Sequence, residues 1–200
     1  MVLSRREIIA RLKDGERNPT HYHSLSLAPK VSLGSIDQCS IDLKVAPIFS
    51  TFKQSRYIGS LDLRFPKDIL KAAELWNHHE VDTWDLKPNE FVLAKTLETV
   101  HLPNDLMGLV EGRSSYARFG IGIHVTAPKI DPGYNNRITL ELTNHSAATW
   151  KISTGPDGIS LSQLILVKLS KPLTKAEIRG ALNKDLTISQ AATDAACGTD

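Results

Sequence analysis

Short strand-like segments follow one another closely from residue 40 to residue 169 of this 200-residue chain, and few helical stretches separate them. The clearest is residues 137–144, where apolar side chains at every second position alternate with polar ones that include Glu141. Such alternation places the apolar residues on one face of a strand and the polar residues on the other. Many short strands at this spacing predict a mainly β domain, either a barrel or a sandwich.

The same patterns divide the chain into a β domain over residues 1–170 and a C-terminal tail over residues 171–200. Strands are predicted over residues 40–45, 48–53, 57–63, 80–86, 90–96, 107–111, 121–126, 137–144 and 159–169. A helix is predicted from Ser4 to Gly15, with Glu7 completing a capping box. Residues 65–76 have helical spacing, and Thr174 with Glu177 marks a further helix start in the tail, ending at Gly180 or Asn183.

The charge balance and the cysteine content exclude several classes of protein. Lys and Arg number 24 against 22 Asp and Glu, so a net charge of +2 gives no indication of nucleic-acid binding. No apolar run approaches the length of a membrane span, and we expect no membrane partner. Cys39 and Cys197 are the two cysteines, which excludes a disulfide framework and is typical of a cytoplasmic protein.

Residues 113–118 combine two arginines with two serines after a predicted strand. Backbone N–H groups at a helix start, hydroxyl groups and guanidinium groups are donors that bind phosphate. The pattern therefore predicts a phosphate site that includes Arg113, Ser114, Ser115 and Arg118. The alternative is that Ser114 only caps a helix and that the arginines lie on a solvated face.

Three further side chains have both a catalytic and a structural interpretation. Glu141 lies on the polar face of its predicted strand, which is either an exposed sheet surface or the wall of a pocket where it could move protons. Asp131 belongs to an Asp-Pro-Gly turn, or it holds a sugar hydroxyl or a water. His124, in a segment that ends at Thr126, is either a base or a hydrogen-bonded imidazole.

A zinc-dependent nucleobase deaminase is not indicated. That class uses a His or Cys ligand, a Glu two residues on and a Pro-Cys-x-x-Cys pair. The chain contains no such cysteine pair. We therefore expect no protein-bound catalytic metal.

The central run GRSSYARFGIGIHVTAPKIDPGYNNRITLE, residues 112–141, closely resembles the signature of dCTP deaminases, which belong to the same superfamily as trimeric dUTPases. The similarity extends upstream through LKPNEFVLAKTLETVHLPNDLMGLVEGRSS and covers roughly residues 3–170. It implies a distorted β-barrel or jelly-roll subunit of the dUTPase-like type, with a short N-terminal helix and few other helices. It also implies a homotrimer with active sites at the subunit interfaces.

The resemblance also implies roles for matched positions. Glu141 matches the catalytic carboxylate that relays protons between a water and the cytosine ring, and Ala127 matches the residue whose carbonyl helps to hold that water. Ser114 and Arg118 match members of the catalytic and phosphate-contacting set, and Arg113 and Ser115 flank them. Asp131 and Tyr134 are expected to contact the deoxyribose of the substrate. His124, Thr126 and Gln163 are also expected to contact substrate.

The implied reaction is the zinc-independent hydrolysis of dCTP to dUTP and ammonia, with Mg²⁺ bound to the triphosphate of the deoxycytidine nucleotide. Two alternatives stay open: a bifunctional enzyme that forms dUMP and pyrophosphate, and a catalytically weak regulatory homologue that binds nucleotides. Family members usually carry a C-terminal lid with a tyrosine, but the chain has no tyrosine after Ser170. We expect that lid to be altered or missing. Pro128 and Lys129 also lie in a stretch that varies within the family.

Overall fold

The structure, a computed structural model, describes residues 1–19, 24–53, 64 and 76–178. The helices are α1 (Arg5–Arg17) and α2 (Ser114–Ala117), with a 3-10 turn at Leu33–Ser35 and a helical segment that begins at residue 175. The strands are β1 (Ser26–Ala28), β2 (Ser40–Phe52), β3 (Trp76–Glu80), β4 (Thr83–Leu86), β5 (Phe91–His101), β6 (Leu106–Gly112), β7 (Ile121–Gly122), β8 (Lys129–Ile130), β9 (Asn135–Asn144), β10 (Trp150–Ser153) and β11 (Ser160–Lys168).

One curled antiparallel sheet organises the described part of the chain. Its strands run in the order β7-β9-β5-β2-β11-β6-β8, with β1 beside β5 and β3 beside β2, while β4 and β10 form a separate pair. The inner face of this sheet carries the apolar core, which includes the fully buried Phe49, Leu140 and Leu164. The architecture confirms the predicted mainly β class with few helices. None of the described helices is long and apolar enough to cross a membrane.

Helix α1 covers one edge of the core through the fully buried Ile8. Ser4 is its N-cap but makes no side-chain hydrogen bond, so the predicted capping box is wrong. Gly15 does not end the helix, which continues to Arg17. A β-carbon at Gly15 would collide with the backbone carbonyl of Leu25. The glycine is therefore needed because the helix packs directly against that backbone.

Two predicted strand boundaries are wrong for identifiable reasons. The segments predicted over residues 40–45 and 48–53 form one continuous strand, because Pro47 lies at a bulge, where it can be tolerated without a ladder N–H donor. The segment predicted over residues 80–86 is split at Val81, and its halves join different sheets. The strand predicted over residues 57–63 and the helical segment over 65–76 fall outside the described residues, except for Trp76, which begins β3.

The first residues of the tail pack against the β domain. The main-chain N–H of Leu173 donates to the carbonyl of Asn104 at 2.9 Å, and the Asn104 amide donates back to Leu173 O at 2.7 Å. The predicted capping box at Thr174 is confirmed, because Thr174 N donates to Glu177 Oε2 at 2.7 Å and Glu177 N donates to Thr174 Oγ1 at 3.3 Å. The predicted helix end lies outside the described residues.

The buried carboxylate of Glu98 makes the stability of this fold depend on pH. It is 4% exposed and accepts a hydrogen bond from Lys44 N at 3.0 Å. Burial raises the pKa of Glu98 above its ordinary value, although nearby hydrogen bonds and the charges of Lys44 and Arg137 oppose that shift. A raised folded-state pKa means that ionisation of Glu98 costs stability as the pH rises from the ordinary pKa through the folded one.

Glu98→Gln is therefore expected to raise the melting temperature relative to the natural chain at pH 8. The glutamine carbonyl still accepts the Lys44 N–H but carries no buried charge. The difference in melting temperature between the two proteins should narrow towards pH 4, where Glu98 is mostly protonated in both the folded and the unfolded state. Melting curves from pH 4 to pH 8 check this, and a variant less stable than the natural chain at pH 8 would contradict it.

Candidate active site

Glu141 lies on the outer face of β9, half-buried, while its neighbours Leu140 and Leu142 are fully buried on the inner face. The main-chain N–H of Val125 donates to Glu141 Oε2 at 2.7 Å, and Glu141 N donates to Ile123 O at 2.8 Å. Among the described residues, the other carboxylate oxygen has no hydrogen-bond partner. One oxygen is thus fixed, and the other is available to accept a proton from a water.

The segment that follows β7 owes its irregular shape to these contacts. Residues 121–126 were predicted to be a strand, but the strand ends at Gly122. Beyond it the chain turns so that Val125 reaches Glu141, and Pro128 O then accepts a hydrogen bond from Val110 N at 2.8 Å. Thr126 and Ala127 lie exposed between these two anchors. Both residues directly follow Val125, whose main-chain N–H contacts the Glu141 carboxylate.

His124, in the same segment, pairs with a carboxylate that the sequence did not single out. Its Nε2 lies 3.2 Å from Glu111 Oε2 at the end of β6. The other ring nitrogen, Nδ1, is buried and has no hydrogen-bond partner among the described residues. His124 is thus an imidazole in hydrogen-bonding contact with a carboxylate, and its role as a base stays a prediction.

Helix α2 presents the predicted phosphate-binding residues in one turn. Arg113 is its N-cap and Ser114 its first residue, so the interpretation of Ser114 as a cap is wrong. Ser114, Ser115 and Arg118 are exposed. In the described part of the chain, the Arg118 guanidinium has no ionic or hydrogen-bonding partner. These groups are free to contact a ligand.

Arg113 is held more firmly than Arg118. Its Nη1 lies 3.2 Å from Asp42 Oδ2 on β2 and donates to Ser160 O at 3.3 Å. Its guanidinium carbon lies 5.9 Å from the centroid of the Tyr116 ring, within cation–π range.

A polar row runs across three neighbouring strands and connects these groups. In the ladder Asp42 is opposite Gln163, and Gln163 is opposite Glu111, so the three side chains share one sheet face. Gln163 Oε1 accepts from Ser40 Oγ at 3.2 Å, and its Nε2 lies 3.4 Å from Gly112 O. One end of the row contacts Arg113 and the other contacts His124. The row thus brings Arg113, Gln163 and His124 to one region of the sheet.

Asp131 and Tyr134 lie elsewhere on the same chain. Asp131 pairs with Lys129 at 2.7 Å, and Tyr134 donates to Arg137 O at 2.6 Å. Tyr134 precedes Glu141 by seven residues, which corresponds to about 20 Å along a strand. The spacing along the strand therefore keeps Tyr134 away from Glu141 within one chain.

The tail reaches the turn that contains Asp131. Gly133 has a φ of 82°, a conformation that favours glycine. A β-carbon there would lie 2.8 Å from Ile178 Cγ2, and Ile178 is itself buried. The described part of the tail therefore packs directly on the turn where the deoxyribose was expected.

A model of the dCTP deaminase-like family matches residues 2–169, most of the chain. The chain belongs to the dCTP deaminase-like family. The strand with Glu141, the α2 turn and the turn with Asp131 all lie inside the matched region.

Several curated relatives of this dCTP deaminase-like chain have the name "dCTP deaminase, dUMP-forming". A protein of Parafrankia sp. (strain EAN1pec) is 38% identical over 172 residues, which are 86% of this chain and 78% of the relative. One of Rhodococcus erythropolis is 37% identical over 170 residues, which are 85% of this chain and 82% of the relative. The expectation of dUTP as the product is wrong in the light of these names, which agree with the bifunctional alternative.

A solved dCTP deaminase from Agrobacterium tumefaciens has the same fold. It superposes with a TM-score of 0.60 at 17% sequence identity, over 92% of this chain. The matched part is 51% of that protein, so this chain spans about half of its length. At this identity the likeness supports the fold alone, and it agrees with the expected dUTPase-like type.

Two carboxylates at the site of this dCTP deaminase-like chain, Asp42 and Glu111, were missed by sequence reasoning. Neither belongs to a local catalytic pattern. The available signal was the alternation of β2 and β6, but their meeting across β11 depends on strand register. Among the described residues no three His, Cys, Asp or Glu side chains cluster as metal ligands.

Proposed function

We propose that this chain hydrolyses dCTP to dUMP, releasing ammonia and pyrophosphate and consuming two waters. The names of its relatives support both steps. The observation that carries the proposal is the Glu141 carboxylate, held through one oxygen by Val125 N with its other oxygen free.

In the deamination step, Glu141 takes a proton from the water that attacks C4 of cytosine. It passes this proton to N3. It then takes the second proton from the hydroxyl now bound to C4 and gives it to the amino group, which leaves as ammonia while the C4 carbonyl forms, so that one carboxylate serves as base and acid. Ser114 and the carbonyl of Ala127 hold the water. The fixed oxygen keeps the carboxylate from rotating, which favours a single geometry for proton transfer.

The phosphate chain of the substrate is bound by the α2 turn. Arg113 and Arg118 supply guanidinium donors, and Ser115 supplies a hydroxyl. Mg²⁺ enters as part of the nucleotide and is held mainly by phosphate oxygens and water. His124, Thr126 and Gln163 line the region between the phosphates and the base.

The second hydrolysis releases pyrophosphate from the uracil nucleotide. Asp131 is the carboxylate available to orient the second water, and it also contacts the deoxyribose together with Tyr134. Lys129, 2.7 Å from Asp131, places a positive charge beside this water.

We also propose that the enzyme is a homotrimer whose sites combine residues of two copies. The separation of about 20 Å between Tyr134 and Glu141 along one strand supports this arrangement. A partner copy could bring its own Asp131 and Tyr134 to the Glu141 of the first. Light scattering coupled to gel filtration should give the mass of three chains, and a monomeric mass in an active preparation would contradict the proposal.

Product analysis tests the proposed reaction. The protein is incubated with dCTP, dUTP or dCMP in Mg²⁺ buffer, and nucleotides and pyrophosphate are resolved by chromatography at successive times. We expect dCTP to give dUMP and pyrophosphate in equal amounts. A final accumulation of dUTP would contradict the second step. Binding without turnover would contradict the enzymatic proposal and favour the regulatory homologue, and a heated sample is the control.

A further inference from the structure

The contact between Asp42 and Arg113 joins two parts of the chain that are 71 positions apart in the sequence. Asp42 lies in the middle of the sheet on β2, with 17% of its side chain exposed, and Arg113 is 35% exposed. An ion pair this close to solvent contributes little to stability on average. Its effect on the orientation of the arginine is more specific.

The three contacts of Arg113 leave one edge of its guanidinium group open. Asp42 Oδ2 and Ser160 O both contact Nη1, at 3.2 and 3.3 Å. The Arg113 guanidinium carbon lies over the Tyr116 ring. Nε and Nη2 have no partner among the described residues. These two donors form the planar edge that binds two oxygens of one phosphate at once.

Asp42 is a partly buried carboxylate whose ionised form is stabilised by Arg113. Burial raises the pKa of Asp42 above its ordinary value and the charge of Asp37 adds to that shift, while the positive charge of Arg113 opposes it. Gln163, opposite Asp42 in the ladder, uses its amide on Ser40 and Gly112. Arg113 is therefore the cation that this carboxylate faces in the described part of the chain.

We propose that Asp42 is a positioning residue, which fixes Arg113 through Nη1 so that its Nε–Nη2 edge meets the triphosphate of the substrate. This inference rests on the proposed function, because it takes Arg113 as a phosphate contact. Asp42 itself need not touch the nucleotide. Its removal should weaken phosphate binding without changing the proton transfers at Glu141.

A double-mutant cycle tests the inference, with the natural chain, D42N, R113Q and D42N/R113Q. Binding of Mg²⁺-tripolyphosphate and of dCTP is measured by calorimetry, and kcat and KM are measured for dCTP. We expect D42N to weaken binding of both ligands about tenfold and to raise KM with little change in kcat. In the R113Q background, adding D42N should change binding less than twofold, since the residue through which it acts is gone.

D37N is the matched control, because Asp37 is a nearby carboxylate whose side chain accepts a bond from Gln38 N and does not contact Arg113. It should bind both ligands within twofold of the natural chain. If D42N does not fold, as judged by its melting curve, D42S takes its place. Unchanged affinity in D42N, or equal effects of the Asp42 change in both backgrounds, would overturn the inference.

The binding measurements separate this inference from the proposed function. A natural chain that binds both ligands but does not convert dCTP contradicts the reaction, and the cycle still decides the role of Asp42. Normal conversion of dCTP with an unaffected D42N overturns the inference alone. A natural chain that binds neither ligand overturns both.

Discussion

Glu141→Gln is expected to lower the rate of ammonia release from dCTP by about 10²- to 10⁴-fold, the usual contribution of a general acid–base residue. Glutamine has nearly the same shape, and its carbonyl can still accept the hydrogen bond from Val125 N. It cannot take a proton from the attacking water or return one to the ring. The measurement is a coupled ammonia assay with saturating dCTP and Mg²⁺.

Binding and folding serve as controls for this variant. The affinity for dCTP should stay within a few-fold of the natural value, and the oligomeric mass should not change. Glu80→Gln, which neutralises an exposed carboxylate on β3, should retain full activity. A Glu141→Gln enzyme with more than a tenth of the natural rate would show that another group moves the protons.

The strand that carries Glu141 could be predicted from the local alternation of apolar and polar residues. The alternation over residues 137–144 predicted both its existence and its two faces, and the structure extends it only to Asn135. The pattern works because one face is buried and the other is polar, so a shift by one residue would expose the leucines. Alternation alone does not decide whether the polar face lines a site, because it does not report what lies opposite that face.

The contacts of the site depend on strand register and could not be read from the sequence. Asp42 and Glu111 are distant in the chain and meet the candidate residues only because β11 pairs with both β2 and β6. The departure of residues 123–127 from strand geometry likewise reflects a contact with Glu141, since no turn signal precedes Pro128.

The sequence motif also does not determine the product of the reaction. The run from Gly112 to Glu141 resembles the deaminase signature, but a deaminase that stops at dUTP and one that continues to dUMP both need the same carboxylate for the first step. The second step requires a further water at the phosphates, and a single sequence does not reveal where that water is held. The names of the relatives, and not the residues, favoured dUMP.

A substitution on the buried face of β9, the strand that carries Glu141, is expected to have a large effect on stability. Leu140 is fully buried in the core, with 0% of its surface accessible to solvent, and pairs with Ala94 on β5. Leu140→Ala leaves a cavity in a packed core and is expected to lower the free energy of unfolding by about 2–5 kcal/mol. Thr139→Ala changes the adjacent residue on the outer face and should cost about 1 kcal/mol or less.

Urea unfolding at one fixed protein concentration measures both changes, since assembly would make stability depend on concentration. The core side chains fix the backbone of β9, and that backbone sets where Glu141 meets Val125. Leu140→Ala should therefore lower deamination at temperatures where it is still folded, because small displacements of a catalytic group reduce rates strongly. Equal losses of stability in the two variants would contradict the assignment of the faces on which this account of Glu141 depends.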